Sequence, residues 1–185
     1  IAVGSSLRHD QVGSVGLYNT VARRRVNTIR NDAVRQTTVG LFGKTEIEWN
    51  RFFRTTLGLR GDMYRFNVDA IRDENSGYGT SGLVSPKFTA VLGPWQSTEL
   101  YLNFGTGFHS NDPRTATTHV DPITGEPVDA ETPLVPARGA EIGVRSVAIS
   151  SLQTTIALWF LEFDSELIFV GDAGIAEASR PSQRF

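Results

Sequence analysis

Two of the three histidines fall in or beside one polar stretch. His109, Asn111, Asp112, His119 and Asp121 lie within or next to residues 110–133. Imidazole and carboxylate together suit a metal ion or a metal chelate. No pair has the fixed spacing of a ligand motif, so a solvated loop is the plainer reading, and no metal site or cofactor is assigned. His109, Ser110 and Asp112 could be written as base, nucleophile and acid. Residues so close together on one loop cannot hold the base in line between the other two, so no catalytic residue is assigned and no enzyme is expected. Arg23, Arg24 and Arg25, with Arg30 and Arg35, form the one local positive cluster. Guanidinium groups there suit an anionic ligand with carboxylate or phosphate oxygens, although a charge run is usually a solvated face.

Other patterns dissolve on inspection. Gly77, Gly79 and Gly82 match the dinucleotide-binding spacing. That site needs a strand before it and a helix after it, whereas Pro86 and strand-like alternation follow. Gly43-Lys44-Thr45 lacks the first glycine of a phosphate loop, because Thr38 stands there. Glu162, Asp164 and Glu166 share one face if the segment is a strand, as do Glu46 and Glu48. Carboxylates two residues apart on a strand lie ~6.5 to 7 Å apart, a span a glycosidase could use. With Arg54, Arg60 and Arg145 expected on the same kind of face, mutual charge compensation accounts for them better.

The elements that carry these residues have a period of two. One face of residues 36–49 reads Thr37, Val39, Leu41, Gly43, Thr45, Ile47, Trp49, and the other carries Lys44, Glu46 and Glu48. Residues 53–63 alternate Phe53, Leu57, Leu59 and Met63 with Arg54, Arg60 and Asp62. Residues 98–108 set Leu100, Leu102 and Phe104 against Glu99, Tyr101 and Asn103. The alternation predicts seven strands near 14–25, 36–49, 52–71, 83–93, 96–109, 134–149 and 151–170. Short turns are expected at 50–51, 93–96 and 150–151, and long polar loops at 27–35, 72–82, 110–133 and from 171 onward. Short and long connections alternate, so an up-and-down meander puts every long loop on one rim.

Composition narrows the class. The chain has 185 residues, a formal charge of −2, no cysteine and 18 glycines. Near-neutral charge gives no field for nucleic acid. Without cysteine there is no disulfide framework or thiolate site. Strands that reach the ~9 to 11 residues of a bilayer crossing, charge-free apolar faces and one-sided long loops favour a membrane barrel over a soluble sandwich. Trp49, Phe52, Phe53 and Trp95 would supply an interfacial girdle. Val39, Leu41, Ile47, Leu57, Leu59, Leu100, Leu102, Phe104, Trp159 and Leu161 are then expected to face lipid. The sequence text at Ile1 and after Arg180 reads like the interior of a longer chain, and a fragment is expected.

Several segments resemble one family. Ser85-Pro86-Lys87, Gly93-Pro94-Trp95 and the run Glu99-Leu100-Tyr101-Leu102-Asn103-Phe104-Gly105-Thr106-Gly107-Phe108-His109-Ser110 are similar to the barrel of TonB-dependent outer-membrane receptors. Arg138 to Arg145, Leu158 to Leu167 and Thr56 to Tyr64 resemble further strands of it. The resemblance implies an all-β antiparallel meander, part of a barrel of about 22 strands, with the plug domain and remaining strands outside residues 1–185. It implies outer-membrane localisation in a Gram-negative cell and energised uptake of a scarce ligand, most often an iron–siderophore chelate. The implied partners are a TonB-type energy-transducing protein acting through the plug, a small-molecule chelate and outer-membrane lipid. Ligand contacts would lie on the long-loop side, where Arg23, Arg24, Arg25, His109, Asp112 and His119 are the candidates. A passive porin or other outer-membrane β protein, and a soluble β-sheet binding module, remain as alternatives.

Overall fold

Alternating apolar and polar residues let a strand hide one face and solvate the other, and here that pattern builds one large antiparallel sheet. A computed structural model describes residues 1–170 and 175–185. The strands are β1 (Ala2–Val21), β2 (Arg24–Asn50), β3 (Phe53–Asp69), β4 (Gly77–Trp95), β5 (Thr98–Ser110), β6 (Leu134–Ser146), β7 (Thr154–Phe163), β8 (Leu167–Val170), β9 (Ile175–Ala178) and β10 (Ser182–Arg184). Eight of them pair in the order β1-β2-β3-β4-β5-β6-β7-β10, and β8 and β9 form a separate hairpin. Every pairing is antiparallel. One short 3-10 turn, Asp73–Asn75, interrupts the β3–β4 connection. Among the described residues no helix is long and apolar enough to cross a membrane, which says nothing about crossing with strands.

The meander agrees with the sequence expectation, but several boundaries do not. The expected loop over 27–35 is strand: β2 runs unbroken for 27 residues. Its partner β1 starts at Ala2 rather than near residue 14. The turn between them is only Ala22 and Arg23, with φ of 47° and 64°. Positive φ at both central residues is the hairpin geometry that matches strand twist, and it usually announces itself with Asn-Gly or Asp-Gly. Ala-Arg gives no such signal, so the turn was invisible. The same geometry recurs at Gln96 and Ser97, with φ of 48° and 60°. At the third tight connection the Asn50 side-chain oxygen accepts the Phe52 N–H at 2.8 Å, the ordinary self-bonding of an Asn turn.

The remaining differences cluster at the far ends. The glycine-rich segment Gly77–Gly82 is not loop but the start of β4, paired with Met63–Val68 of β3. The expected strand over 151–170 breaks at Phe163, and β8 and β9 fold beside it; residues 171–174 of the expected last loop lie outside the described residues. Polar text near the C-terminus makes the short strand β10, which pairs with Leu161–Phe163. Ser182 donates to a Glu166 carboxylate oxygen at 2.6 Å, and Arg184 also bonds Glu166, so a carboxylate just past β7 anchors that strand.

Register separates the two faces. Val39, Leu41, Ile47, Leu57, Leu59, Leu100, Leu102 and Phe104 share one face, through pairs such as Val39 with Met63, Leu57 with Phe88, Phe88 with Phe104 and Ala90 with Leu102. Trp159 and Leu161 do not join them. Trp159 pairs with Glu141, and Asn103 pairs with Glu141 in turn, so both lie on the polar face. Ile156, Leu158 and Phe160 take the apolar face instead, beside Val144, Ile142 and Ala140. β7 is apolar on both sides, so alternation could not choose; the cross-strand register decided.

The polar face is stitched across strands. Arg54 of β3 reaches Glu99 of β5 at 2.9 Å, passing over β4. Arg60 pairs with Asp62 at 2.6 Å and donates to Ser6 Oγ of β1 at 2.9 Å, passing over β2. Gly40 of β2 permits that crossing, since a Cβ there would meet Asp62 Oδ1 at 2.6 Å and Ser6 Oγ at 2.7 Å.

Candidate functional site

The long connection between β5 and β6 folds back over the polar face of β1 to β3. It is an ordered structure. Its ends are closed by Asn111, whose N–H donates to Pro133 O at 2.9 Å and whose amide donates to Thr132 O at 2.7 Å. The first turn is held by Asp112, which accepts from the Arg114 backbone at 2.9 Å and its guanidinium at 2.6 Å. Thr118 Oγ1 donates to Arg114 O at 2.6 Å. The Asn75 side chain ties this loop to the β3–β4 connection: its oxygen accepts from His119 N at 2.9 Å and Val120 N at 3.0 Å, and its amide donates to Val120 O at 2.8 Å.

The loop meets β2 through charge. Arg30 and Asp32, two residues apart and thus on one strand face, pair at 3.0 Å with side chains only 9 % and 2 % exposed. Arg30 also donates to Thr118 Oγ1 at 3.3 Å, and Arg114 approaches Asp32 at 4.0 Å. Beneath the loop lies a cluster of Val34, Tyr64, Phe66, Val68 and Leu134, so the ion pairs sit on an apolar floor. A cavity of about 300 Å³ opens between Asp10, Gln36 and the start of the loop at Asn111, Asp112 and Arg114. Its polar wall continues downward, because Gln36 donates to Asp10 at 2.9 Å and accepts from Tyr64 OH at 2.8 Å.

The Asp112 carboxyl titrates below its usual range. Burial pushes it up, but hydrogen bonds from the Arg114 side chain and backbone, with the charges of Arg114 and Arg30, outweigh that. The Arg114 guanidinium is correspondingly held in its charged form, first by its bond to Asp112. The arrangement offers paired charges and hydrogen-bond donors to a polar ligand. Among the described residues no group of three metal-ligating side chains comes together.

The sequence candidates are spread over two places. His109 ends β5 on the polar face, its ring 5.6 Å edge-on from Phe163. Asp112 opens the loop, and His119 is fixed through its backbone by Asn75. Arg23, Arg24 and Arg25 are elsewhere. Residues 24–32 of β2 pair with β1 alone, because β3 joins only from Ala33. The β1–β2 hairpin therefore projects beyond its neighbour by roughly 30 Å at ~3.3 Å per residue. The three arginines stand at its exposed tip, with Arg25 3.8 Å over the Tyr18 ring. The base of this arm, not its tip, reaches the loop. Asp32, Asn75, Arg114 and Thr118 were missed by sequence reading. The Arg30-x-Asp32 and Asp112-x-Arg114 spacings are the available signal, but it counts only once residues 30–32 are known to be strand.

An eight-stranded antiparallel meander with one apolar face, one polar, ion-paired face and a folded long loop is an open piece of a β-barrel-type sheet. A family model for the TonB-dependent receptor-like β-barrel matches residues 2–182, and the chain belongs to that family. Solved structures share the fold at low identity. The alcaligin outer membrane receptor FauA from Bordetella pertussis matches at TM-score 0.56 and 14 % identity, over 83 % of this chain and 26 % of that one. The FrpB iron transporter from Neisseria meningitidis matches at 0.58 and 14 %, over 82 % and 22 %. The ferric-catecholate import receptor Fiu from K12 E. coli matches at 0.56 and 14 %, over 83 % and 25 %. The chain thus spans about a quarter of the length of these structures. No curated protein matches it in sequence.

Two outcomes follow for the loop. Asp32→Ala leaves the buried Arg30 without its carboxylate, and losing one partner of a buried pair costs about 3 to 5 kcal/mol. Amide exchange over residues 111–120 should accelerate in that variant while exchange in β5 stays unchanged. Acidification has a defined sign. A carboxyl whose folded-state pKa lies below the unfolded value contributes stability above the unfolded value, about 4, and loses it as pH falls through the folded one. Protection of the 111–118 amides, corrected for intrinsic exchange, should be flat from pH 6 to 8 and fall below about pH 4, and Asp112→Asn should abolish that acid limb.

Proposed function

We propose that the chain is a barrel segment of an outer-membrane receptor that takes up a scarce ligand, an iron–siderophore chelate, by TonB-energised transport. The observation that carries this reading is the apolar face. From Phe53 to Met63 on β3 it holds no charge, a run that at ~3.3 Å per residue and ~40° tilt covers about 25 Å, the height of an outer-membrane barrel's lipid belt. Val39, Leu41, Leu57, Leu59, Leu102, Phe104, Ile142, Val144, Ile156 and Leu158 are all exposed on it. A soluble sandwich would need a second sheet to cover this surface. At the short-turn end Trp49 stacks on Phe53 and Phe52 on Trp95, which suits a membrane–water interface.

In this reading further strands outside residues 1–185 pair with the edges of β1 and β10, and a plug domain outside them occupies the polar side. The energy-transducing partner acts through that plug, and no chemical step is required of the barrel. The ligand arrives at the long-loop rim. Arg23, Arg24 and Arg25 on the projecting arm meet an anionic chelate first, and the cavity beside Asp112, with His109 and His119 near the same rim, offers the inner contacts. The iron-related neighbours support the ligand class as analogy, with fold likeness alone behind it.

The uptake test uses the full receptor in a host strain lacking its own siderophore receptors. Uptake of a labelled ferric siderophore should require the receptor and stop when the host's energy-transducing protein is deleted. Uptake that persists in the deletion would make the protein a passive pore. Substituting Arg23, Arg24 and Arg25 by Gln should weaken capture of an anionic chelate, and the difference should shrink at high salt, where the screening length is short. The membrane test is separate. Leu102→Arg, near mid-height of the apolar face, should destabilise the inserted receptor by about 2 to 4 kcal/mol, with a much smaller effect for Asn103→Arg on the opposite face. Equal costs in urea unfolding from lipid would remove the membrane reading.

A further inference from the structure

The apolar face ends, toward the long-loop rim, in a cationic notch that neither ligand capture nor energy transduction uses. Register places His9 beside Thr37 and Thr37 beside Arg65; the next row along sets Arg35 beside Asn67 and Asn67 beside Tyr78. These residues share the face of Leu57 and Leu102, not that of Arg60 and Glu99. Arg35, Thr37, Arg65, Asn67 and Tyr78 line a cavity of about 430 Å³. His9, Arg35, Arg65 and Tyr78 are exposed, and His9 Nδ1 shares a hydrogen bond with Thr37 Oγ1 at 2.8 Å.

One row toward mid-height the chemistry changes completely. Leu7 pairs with Val39 and Val39 with Met63, and all three are exposed. The face therefore switches from apolar to cationic within ~7 Å, the repeat of two strand residues. The charges at this rim are not equally satisfied. Arg138 is neutralised by Glu162, at 2.7 Å, on the same face. Arg35 has Asp69 at 3.1 Å, with both side chains more than half exposed. Arg65 has no carboxylate within ion-pairing distance among the described residues. A guanidinium left open above an apolar row matches one kind of molecule: an amphiphile whose chains lie on Leu7, Val39 and Met63 and whose anionic oxygens accept from Arg65 and Arg35.

We propose that this notch is a binding site for a membrane lipid with an anionic phosphate headgroup, seated on the outside of the barrel by Arg65 and Arg35. The proposal rests on the reading of the apolar face as lipid-facing. The site is separate from the ligand route, because the strands lie between it and the polar face. Its physical role is to fix the depth at which β1 to β3 sit in the bilayer, below the projecting arm.

The test uses the full receptor, extracted in detergent and examined by native mass spectrometry with added phosphatidylglycerol, phosphatidylcholine or inorganic phosphate. Phosphatidylglycerol should be retained in preference to phosphatidylcholine, and inorganic phosphate should not displace it. Arg65→Gln should lower its affinity roughly fivefold, Arg35→Gln with Arg65→Gln should lower it further, and Lys44→Gln on the polar face should leave it unchanged. Equal retention of the two lipids, displacement by inorganic phosphate, or a double variant that binds like the parent would each overturn the proposal. Membrane fractionation of the same receptor separates the two levels. A receptor found in the membrane whose lipid retention ignores Arg65 overturns this site alone, and one that stays dispersed without detergent overturns the lipid-facing reading and the site with it.

Discussion

Backbone hydrogen bonding is the constraint on which everything else depends. In hydrocarbon there is no water to satisfy an N–H or C=O, so a chain that crosses with strands must pair each strand on both sides. The strands β2 to β7 each have a neighbour on both sides, every one antiparallel, and only β1 and β10 stand at open edges. Pairing consumes the backbone and leaves side chains to speak to two solvents. In the proposed barrel the apolar face meets lipid, and the face of Arg54, Arg60, Asp62, Glu99 and Glu141 meets water. Charge on the polar face is tolerable because it is paired, Arg54 with Glu99 and Arg60 with Asp62, and the Arg54–Glu99 pair and the Arg60–Ser6 hydrogen bond cross-link strands that share no backbone bonds.

The same constraint relaxes beyond the apolar band, and there the structure becomes individual. β1 and β2 outrun β3 and stand as a two-stranded arm. An isolated hairpin is marginal in water, and its base is braced by the buried pair Arg30–Asp32 and by the loop that lands on it. That loop is itself pinned by Asn75 from another connection. Arm, loop and turn thus form one linked surface at the rim. A ligand that moved the loop would pull on the arm through Arg30 and on the β3–β4 connection through Asn75. The rim is also where charges on the outward face reappear, as Arg35, Arg65, Arg138 and Glu162, so a single boundary separates the band from both chemistries.

How much of this was legible depends on how local the information is. Strand identity was legible wherever one face was apolar and the other polar, as in residues 36–49, 53–63 and 98–108, because alternation is written in adjacent residues. It failed at 27–35, where Asn27, Thr28, Asn31 and Asp32 resemble loop text. That segment is strand because β1 pairs with it and the loop covers it, and neither fact is local. It failed again at Ala22–Arg23, a turn without turn residues. Of the candidate site, the residue types were legible and the grouping was not. Arg30 was noticed as one charge of a cluster, while its actual partners Asp32 and Thr118 come from the same strand and from a loop more than eighty residues away.

The sequence by itself determined the period, the two-faced strands, the long connection over 111–133 and, through its motifs, the resemblance to a receptor barrel. These are short-range properties, fixed by side-chain type at positions i and i+2. Only the tertiary structure decided which face of β7 turns outward, since Trp159 and Leu161 differ from Leu158 and Phe160 in register and not in hydrophobicity. It also decided that the arginine tip stands apart from the histidine loop, and that Arg65 is open while Arg138 is paired. Those outcomes follow from which strand lies beside which. Cross-strand register brings together residues far apart in the chain, and no local pattern records it.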